Sequence, residues 1–275
     1  MQDLIPVNGL ISLYGRPKSM KSYLAISLAL AMTQGTTWMG YPIINPGPVL
    51  YLQIDTPRSL WEKRWQKLVE AGIDLHNSPG LFLADRLNAP HPFNILDPKH
   101  ALWLRSEVER TGAKLVILDT LRKLHRLDED KSAESDLVLT SIQVACGQAA
   151  VLLISHGKKL GADREEHSVV EGNRGSSNTP AACDIIFQLR RQGKEATLSY
   201  EGRAVEDDHI KLLLDQKTLL WNLHPDALYR ITLKQLAEDT SYPSLRAKAK
   251  RLSETTNRSF DACLKALERF QSREE

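Results

Sequence analysis

Residues 10–22 read LISLYGRPKSMKS and run on into YLAISLALAMTQG at 23–35. A short apolar run closed by glycine, then a polar loop, then a long apolar stretch reads as strand, loop, helix. Within it Gly15, the four residues Arg16, Pro17, Lys18 and Ser19, a sixth position at Met20, and then Lys21 and Ser22 meet the spacing of a phosphate-binding (Walker A) loop. The chemistry explains the spacing. Backbone N–H groups of the loop and of the helix start wrap anionic phosphates, Lys21 adds a charge at the outer phosphates, and the Ser22 hydroxyl ligates Mg²⁺. Met20 stands where the pattern has glycine, so a side chain is expected to narrow the loop or change its backbone. Lys18 reads equally as a second phosphate contact and as a solvated lysine. The bland alternative for the whole stretch is a lysine-rich turn before a core helix.

Outward from this loop, strands are predicted at 48–55 (PVLYLQID), 81–84 (LFLA), 114–119 (KLVILD), 150–155 (AVLLIS) and 183–189 (CDIIFQL). Helical spacing falls in SLWEKRWQKLVEAG, ended by Gly72, and at about 98–111 and 133–148. Alternation of this kind predicts an α/β fold: a mostly parallel sheet with helices on both faces. TLSYEGR and IKLLLDQKTLLWNL look like antiparallel strands added at an edge. In LVILDT the apolar run delivers Asp119 to a strand's carboxyl end, a Walker B arrangement. Ligands of doubly wound sheets gather there, so Asp119 and the Lys21 loop are expected to converge on one metal–nucleotide site. Taken alone, an apolar strand ending in Asp is common.

At 275 residues, the length predicts one domain of about 200 residues plus an appendage. A net charge of +2 excludes neither nucleic acid nor small molecules as partners. The three cysteines, Cys146, Cys183 and Cys263, are widely spaced among apolar neighbours and read as buried thiols rather than a metal cluster or disulfide framework. With no apolar run near the roughly 20 residues of a membrane span, the expectation is a cytoplasmic protein with no membrane partner.

The order of these pieces resembles that of the RecA-like ATPases, most closely the plasmid RepA-type hexameric helicases and their phage relatives, over residues 1–222. The resemblance implies a RecA-like domain using ATP and Mg²⁺ and assembling as a homo-oligomer, a hexameric ring or a filament. It implies that Asp55, in YLQIDTP, activates the attacking water, where the family more usually has Glu; the alternative is an acid at the start of the next helix, complementing its dipole. At the end of AVLLIS, Ser155 and His156 match the position of a terminal-phosphate sensor. The polar, Gly-rich stretch 157–182 matches a loop that contacts single-stranded DNA, with Arg174, Gly175 and Ser176 in its Arg-Gly-Ser segment; a plain connection is the alternative. Arg203, in YEGRAVEDD, matches an arginine presented to a neighbouring subunit's phosphates, with Lys211 as a weaker candidate.

From 226 to 275 the chain changes character. ITLKQLAEDT, PSLRAKAKRLSETT and RSFDACLKALERF read as three short helices making a small core, a module that resembles a helix-turn-helix or winged helix. Arg246, Lys248, Lys250, Arg251, Arg258, Lys265, Arg269 and Arg273 offer a basic surface for duplex DNA, with 259–271 as the reading helix. A packing or oligomerisation role is the competing reading. For the whole chain, a nucleic-acid-dependent ATPase leads. Behind it stand a nucleotide-switched DNA-binding or regulatory protein with weak turnover and, last, a small-molecule kinase.

Overall fold

The structure is a computed structural model that describes residues 4–73, 80–127, 132–157 and 182–272. Its centre is a nine-stranded sheet. The strands are β1 (Leu10–Gly15), β4 (Val49–Gln53), β5 (Leu81–Asp85), β6 (Leu115–Asp119), β7 (Ala150–His156), β8 (Ile185–Gln192), β9 (Glu195–Gly202), β10 (Val205–Leu214) and β11 (Trp221–Leu223), in the order β11-β10-β9-β8-β1-β7-β6-β4-β5. From β8 to β5 every pairing is parallel, and β9, β10 and β11 join antiparallel beyond β8. The expected parallel sheet with antiparallel additions is what forms. The parallel strands β1, β4, β6 and β7 read as continuous apolar runs because both faces of the sheet are covered.

Alternate residues along each strand enter two cores. Ile11, Leu13, Val49, Tyr51, Leu115, Ile117 and Leu152 pack with α1 (Lys21–Gln34) and with Trp61 and Leu68 of α2 (Arg58–Glu70). Leu10, Leu50, Leu52, Val116, Leu118 and Leu153 face the other way, onto α3 (Pro98–Thr111) and α4 (Ser132–Cys146). Sequence fixes the ends of α3: Asp97 accepts from Lys99 N–H, Pro98 starts the helix, and Gly112 closes it at φ 62°. A small hairpin that the sequence reading did not anticipate, β2 (Thr37–Trp38) with β3 (Tyr41–Pro42), follows α1.

Beyond β11 lie α5 (Pro225–Glu238), α6 (Leu245–Thr256) and α7 (Phe260–Gln271). The first of them begins at Pro225 rather than at Ile231, because His224 caps it and proline suits a first helical position. Ser244 and Ser259 cap the other two, and Asn257 makes the left-handed turn between them. Leu236, Ala249, Leu252, Cys263 and Leu267 form a small core of their own. Ala227 and Ile231 of α5 instead belong to the large core beneath the sheet, and Gln235 donates to the Gly40 carbonyl at 2.7 Å. Among the described residues no strand follows α7, and no helix is long and apolar enough to cross a membrane. All three cysteines are free and buried, and burial pushes the Cys146 and Cys183 thiols up to about 12.

Candidate functional site

Strand register brings the polar residues to one edge of the sheet. Gly15 at the end of β1 lies beside His156 of β7, and Gln53 at the end of β4 lies beside Asp119 of β6. All four stand at the carboxyl edge of the parallel strands. Glycine is required at 15 by close approach, since a Cβ there would lie 2.5 Å from the Leu189 carbonyl oxygen of β8. The loop then exposes Arg16, Pro17 and Lys18, buries Ser19, and turns into α1 through Met20. Met20 sits at φ 70°, ψ 30°, the left-handed region that favours glycine, and Lys18 is also left-handed at φ 64°. So the departure from glycine changes the residue and keeps the conformation that glycine ordinarily supplies.

Lys21, at the first turn of α1, is buried. Its ammonium donates to the carbonyls of Gly15 at 2.9 Å and Arg16 at 3.0 Å and lies 3.4 Å from His156 Nδ1. Burial pulls its pKa down to about 8, partly opposed by the Asp119 charge. Asp119 is buried and accepts hydrogen bonds from the Tyr51 hydroxyl at 2.9 Å and from the Ser22 hydroxyl. Burial raises its pKa and the neighbouring Asp55 adds to the rise, while the bonds from Ser22 and Tyr51 and the charge of Arg64 oppose it. Lys21, Ser22 and Asp119 therefore come together, as the sequence spacing predicts for them.

The arrangement suits a phosphate–metal ligand. The first turn of α1 has no side-chain cap and no acidic residue, leaving backbone N–H groups and the positive dipole end open to an anion. Buried hydroxyls of Ser19 and Ser155 at the same edge have no hydrogen-bond partner. One carboxylate beside one hydroxyl fits the way Mg²⁺ is held, with few protein ligands and the remainder from phosphate and water. Among the described residues no group of three or more His, Cys, Asp or Glu is gathered for a metal.

Asp55 stands two residues past β4, its carboxylate 3.8 Å from Lys123 Nζ and close enough to Asp119 to influence it. Its backbone carbonyl accepts from Arg86 Nη2 at 2.7 Å, which ties the turn to β5. Pro57 rather than Asp55 occupies the cap of α2, and no side chain caps that helix. His156 is exposed at the end of β7, facing Lys21. Arg203 lies elsewhere: the β9–β10 turn sits level with the beginning of β1, and its guanidinium pairs with Asp184 at 3.3 Å. The residue is thus at the end of the sheet opposite its own phosphate loop. Lys211 pairs with Thr197 of β9, which pairs with Arg190 of β8, so it stands at the phosphate-loop end of the sheet but three strands over from β1. The 157–182 region, with Arg174, Gly175 and Ser176, falls outside the described residues except for Gly157 and Ala182.

Three residues at the site escaped the sequence reading. Tyr51 is the lone aromatic in an aliphatic strand and holds Asp119 from β4. Arg64 shares the buried face of α2 with Trp61 and Leu68, stacks over the Tyr23 and Trp61 rings at 5.5 and 5.4 Å, and keeps one buried guanidinium nitrogen without a hydrogen-bond partner. The visible signal was a cation at helical spacing between two apolar anchors. Arg191, at the end of β8, reaches the Lys18 carbonyl at 3.3 Å.

In the C-terminal helices the basic residues divide. Lys248 is buried and donates to the Ala237 carbonyl at 3.0 Å. Arg258 pairs with Asp226 at 2.9 Å and lies 4.1 Å over the Tyr229 ring. Burial corrects the assignment of Lys248 to a phosphate-facing surface, whereas Arg258, though paired, stays exposed. Arg246, Lys250 and Arg251 are exposed on α6, whereas Lys265 and Arg269 on α7 are interspersed with Asp261 and Glu268. Arg273 falls outside the described residues.

Comparison with known proteins agrees with the fold. A solved structure described as a DnaB-like replicative helicase and its interactions with primase superposes with a TM-score of 0.56 at 12% identity, over 78% of this chain and 58% of that one. At that identity the likeness speaks for the fold, a RecA-like P-loop architecture, and the chain spans little more than half the length of its counterpart. The family model of the AAA domain matches residues 1–162, the segment that carries Lys21, Asp55, Asp119 and His156. By that match, which takes in more than half of the sequence, the chain belongs to the AAA domain family.

Proposed function

We propose that the protein is an ATP-hydrolysing motor acting on nucleic acid as a homo-oligomer, a ring-forming helicase or translocase of DNA replication or recombination working in the cytoplasm. The observation that carries the ATPase part is the convergence of Lys21, Ser22 and Asp119 below an uncapped helix start. In this reading the loop 15–22 binds the phosphates, Lys21 leaves the Gly15 and Arg16 carbonyls for the outer phosphates, and Ser22 with Asp119 holds Mg²⁺. Bound Mg²⁺ supplies charge neutralisation at the phosphate oxygens. Tyr51 fixes the orientation of the Asp119 carboxylate. Asp55 accepts the proton of the attacking water, and His156, beside Lys21, registers whether the terminal phosphate is present. Arg203 faces away from its own loop, so its contribution is made to a neighbouring subunit's site.

The nucleic-acid part is supported by the likeness to a replicative helicase fold and by the exposed cations of α6. A second reading, a nucleotide-switched DNA-binding protein with weak turnover, draws on the left-handed Met20 and on the ion pair that engages Asp55 with Lys123. ATP turnover measured with and without single-stranded DNA separates the two: the motor requires a clear rise, and a rate unmoved by DNA favours the switch. Mixing Arg203→Ala with Asp55→Asn subunits tests the shared site. Partial recovery of activity is expected, and none at any ratio in assemblies shown to be mixed removes Arg203 from it.

A further inference from the structure

The phosphate loop is held from a distant part of the chain. Trp221, at the start of β11, is the largest fully buried side chain among the described residues, and its indole N–H points at the Met20 carbonyl at 3.4 Å. That carbonyl also takes the first helical bond of α1, from Leu24 N–H at 3.2 Å. Met20 packs its side chain against the same large core to which Trp221 belongs. Three constraints thus meet on Met20, one of two loop residues whose left-handed backbone is unfavourable for a residue with a Cβ. We propose that Trp221 is a positioning residue for the nucleotide site: its indole N–H and the core packing of Met20 together lock position 20 in the left-handed turn that glycine would adopt unaided.

A non-glycine residue at positive φ is drawn toward the ordinary helical or extended regions, and such a turn of the Met20 peptide would re-aim the N–H groups that face the phosphates. It would also move the carbonyl away from a fully buried indole N–H, and a buried donor left without a partner is costly. The rearranged loop is therefore penalised twice, by the orphaned donor and by the withdrawn Met20 side chain. With glycine at position 20 neither penalty is needed, because glycine occupies this region freely. Trp221 and Met20 form a compensating pair, and β11 leads directly into α5.

This inference rests on the ATP-site reading, and a double-mutant cycle keeps the two separable. Trp221→Phe retains most of the ring and removes the donor. With Met20 present it should weaken binding of a fluorescent ADP analogue roughly three- to ten-fold, the range of one net hydrogen bond. Combined with Met20→Gly, that penalty should all but vanish, a coupling of about three-fold or more that exceeds the ordinary error of additivity. Melting temperatures of the same four proteins without nucleotide should show coupling of the same sign. Equal penalties in the wild-type and Met20→Gly backgrounds, in affinity and in melting temperature, overturn the lock. Nucleotide binding indifferent to Lys21→Ala overturns the ATP-site reading instead, while the melting cycle still decides the lock. Should Trp221→Phe not fold, position 20 decides it: Met20→Ala, which keeps the Cβ and loses the core packing, must bind the ADP analogue more weakly than Met20→Gly, and equal affinities overturn the proposal.

Discussion

At the carboxyl edge of β1, β6 and β7 the chain buries a lysine, an aspartate and two hydroxyls that bond to nothing, and it recruits them from elements far apart in sequence. The C-terminal helices treat polar groups in the opposite way. His224, Ser244 and Ser259 each satisfy a backbone N–H at a helix start, Lys248 satisfies a carbonyl, and Arg258 is matched by Asp226 and Tyr229. Buried polar groups normally find partners, because leaving them without costs free energy. Where a protein departs from that rule at a helix start and a strand end together, a ligand is the natural partner. Where it obeys the rule locally and completely, the polar residues stabilise the module and say little about what it binds.

On that contrast the largest effect comes from Lys21→Ala, which should lower ATP turnover by roughly 100-fold or more, two orders of magnitude being an ordinary loss for removing a group that stabilises developing charge. Turnover and nucleotide affinity at wild-type level would break the comparison outright. The second test concerns where the two regions part. Removing residues 226–275 strips Ala227 and Ile231 from the large core and should destabilise the remainder by about 3 kcal/mol or more, since burying one large aliphatic side chain contributes about 1.5–3 kcal/mol. Removing only 240–275 keeps α5 in place and should leave the urea midpoint of the sheet domain nearly unchanged. Equal losses from both truncations would show that α6 and α7 also support the core.

Asp119→Asn keeps the shape that Tyr51 and Ser22 bond and deletes the charge. It should raise the Mg²⁺ concentration for half-maximal turnover roughly 10- to 100-fold, the usual loss for a residue holding metal ligands in place. An unchanged Mg²⁺ requirement would reduce Asp119 to a structural acid. The smallest effect is in pH. Lys21 has its pKa lowered to about 8 without ligand, and phosphate oxygens would favour its charged form and raise that value. Binding then takes up a proton, so affinity is full below the ligand-free pKa and falls as pH rises through about 8. Calorimetry in buffers of different ionisation enthalpy should detect the proton uptake near pH 8, and Lys21→Met should lack it.

The sheet was legible because parallel strands buried on both faces leave aliphatic runs, as in LVILD and AVLLIS, and because Asp97, Pro98 and Gly112 punctuate α3. The β2–β3 hairpin was not: its strands are too short for any period to show. The phosphate loop, Ser22 and Asp119 were readable from fixed spacing in a strand–loop–helix setting. Tyr51 and Arg64 were not, since their relation to Asp119 depends on the pairing of β4 with β6 and on which face α2 turns inward. Arg203 could be placed at a turn from YEGR alone. Which end of the sheet that turn occupies is decided by the reversal between β8 and β9, a relation set by strand pairing rather than by local composition.

The three buried thiols have a practical consequence. A cysteine reacts as its thiolate, and burial both shields these sulfurs and, at Cys146 and Cys183, holds the proton on up to about pH 12. Alkylating dyes at neutral pH should therefore leave the folded protein almost unlabelled while modifying all three positions in urea. A single cysteine placed on the exposed face of α6 would then be the only fast-reacting handle on the molecule, suited to fluorescence reporting on whether copies of the chain associate, without any native cysteine being removed.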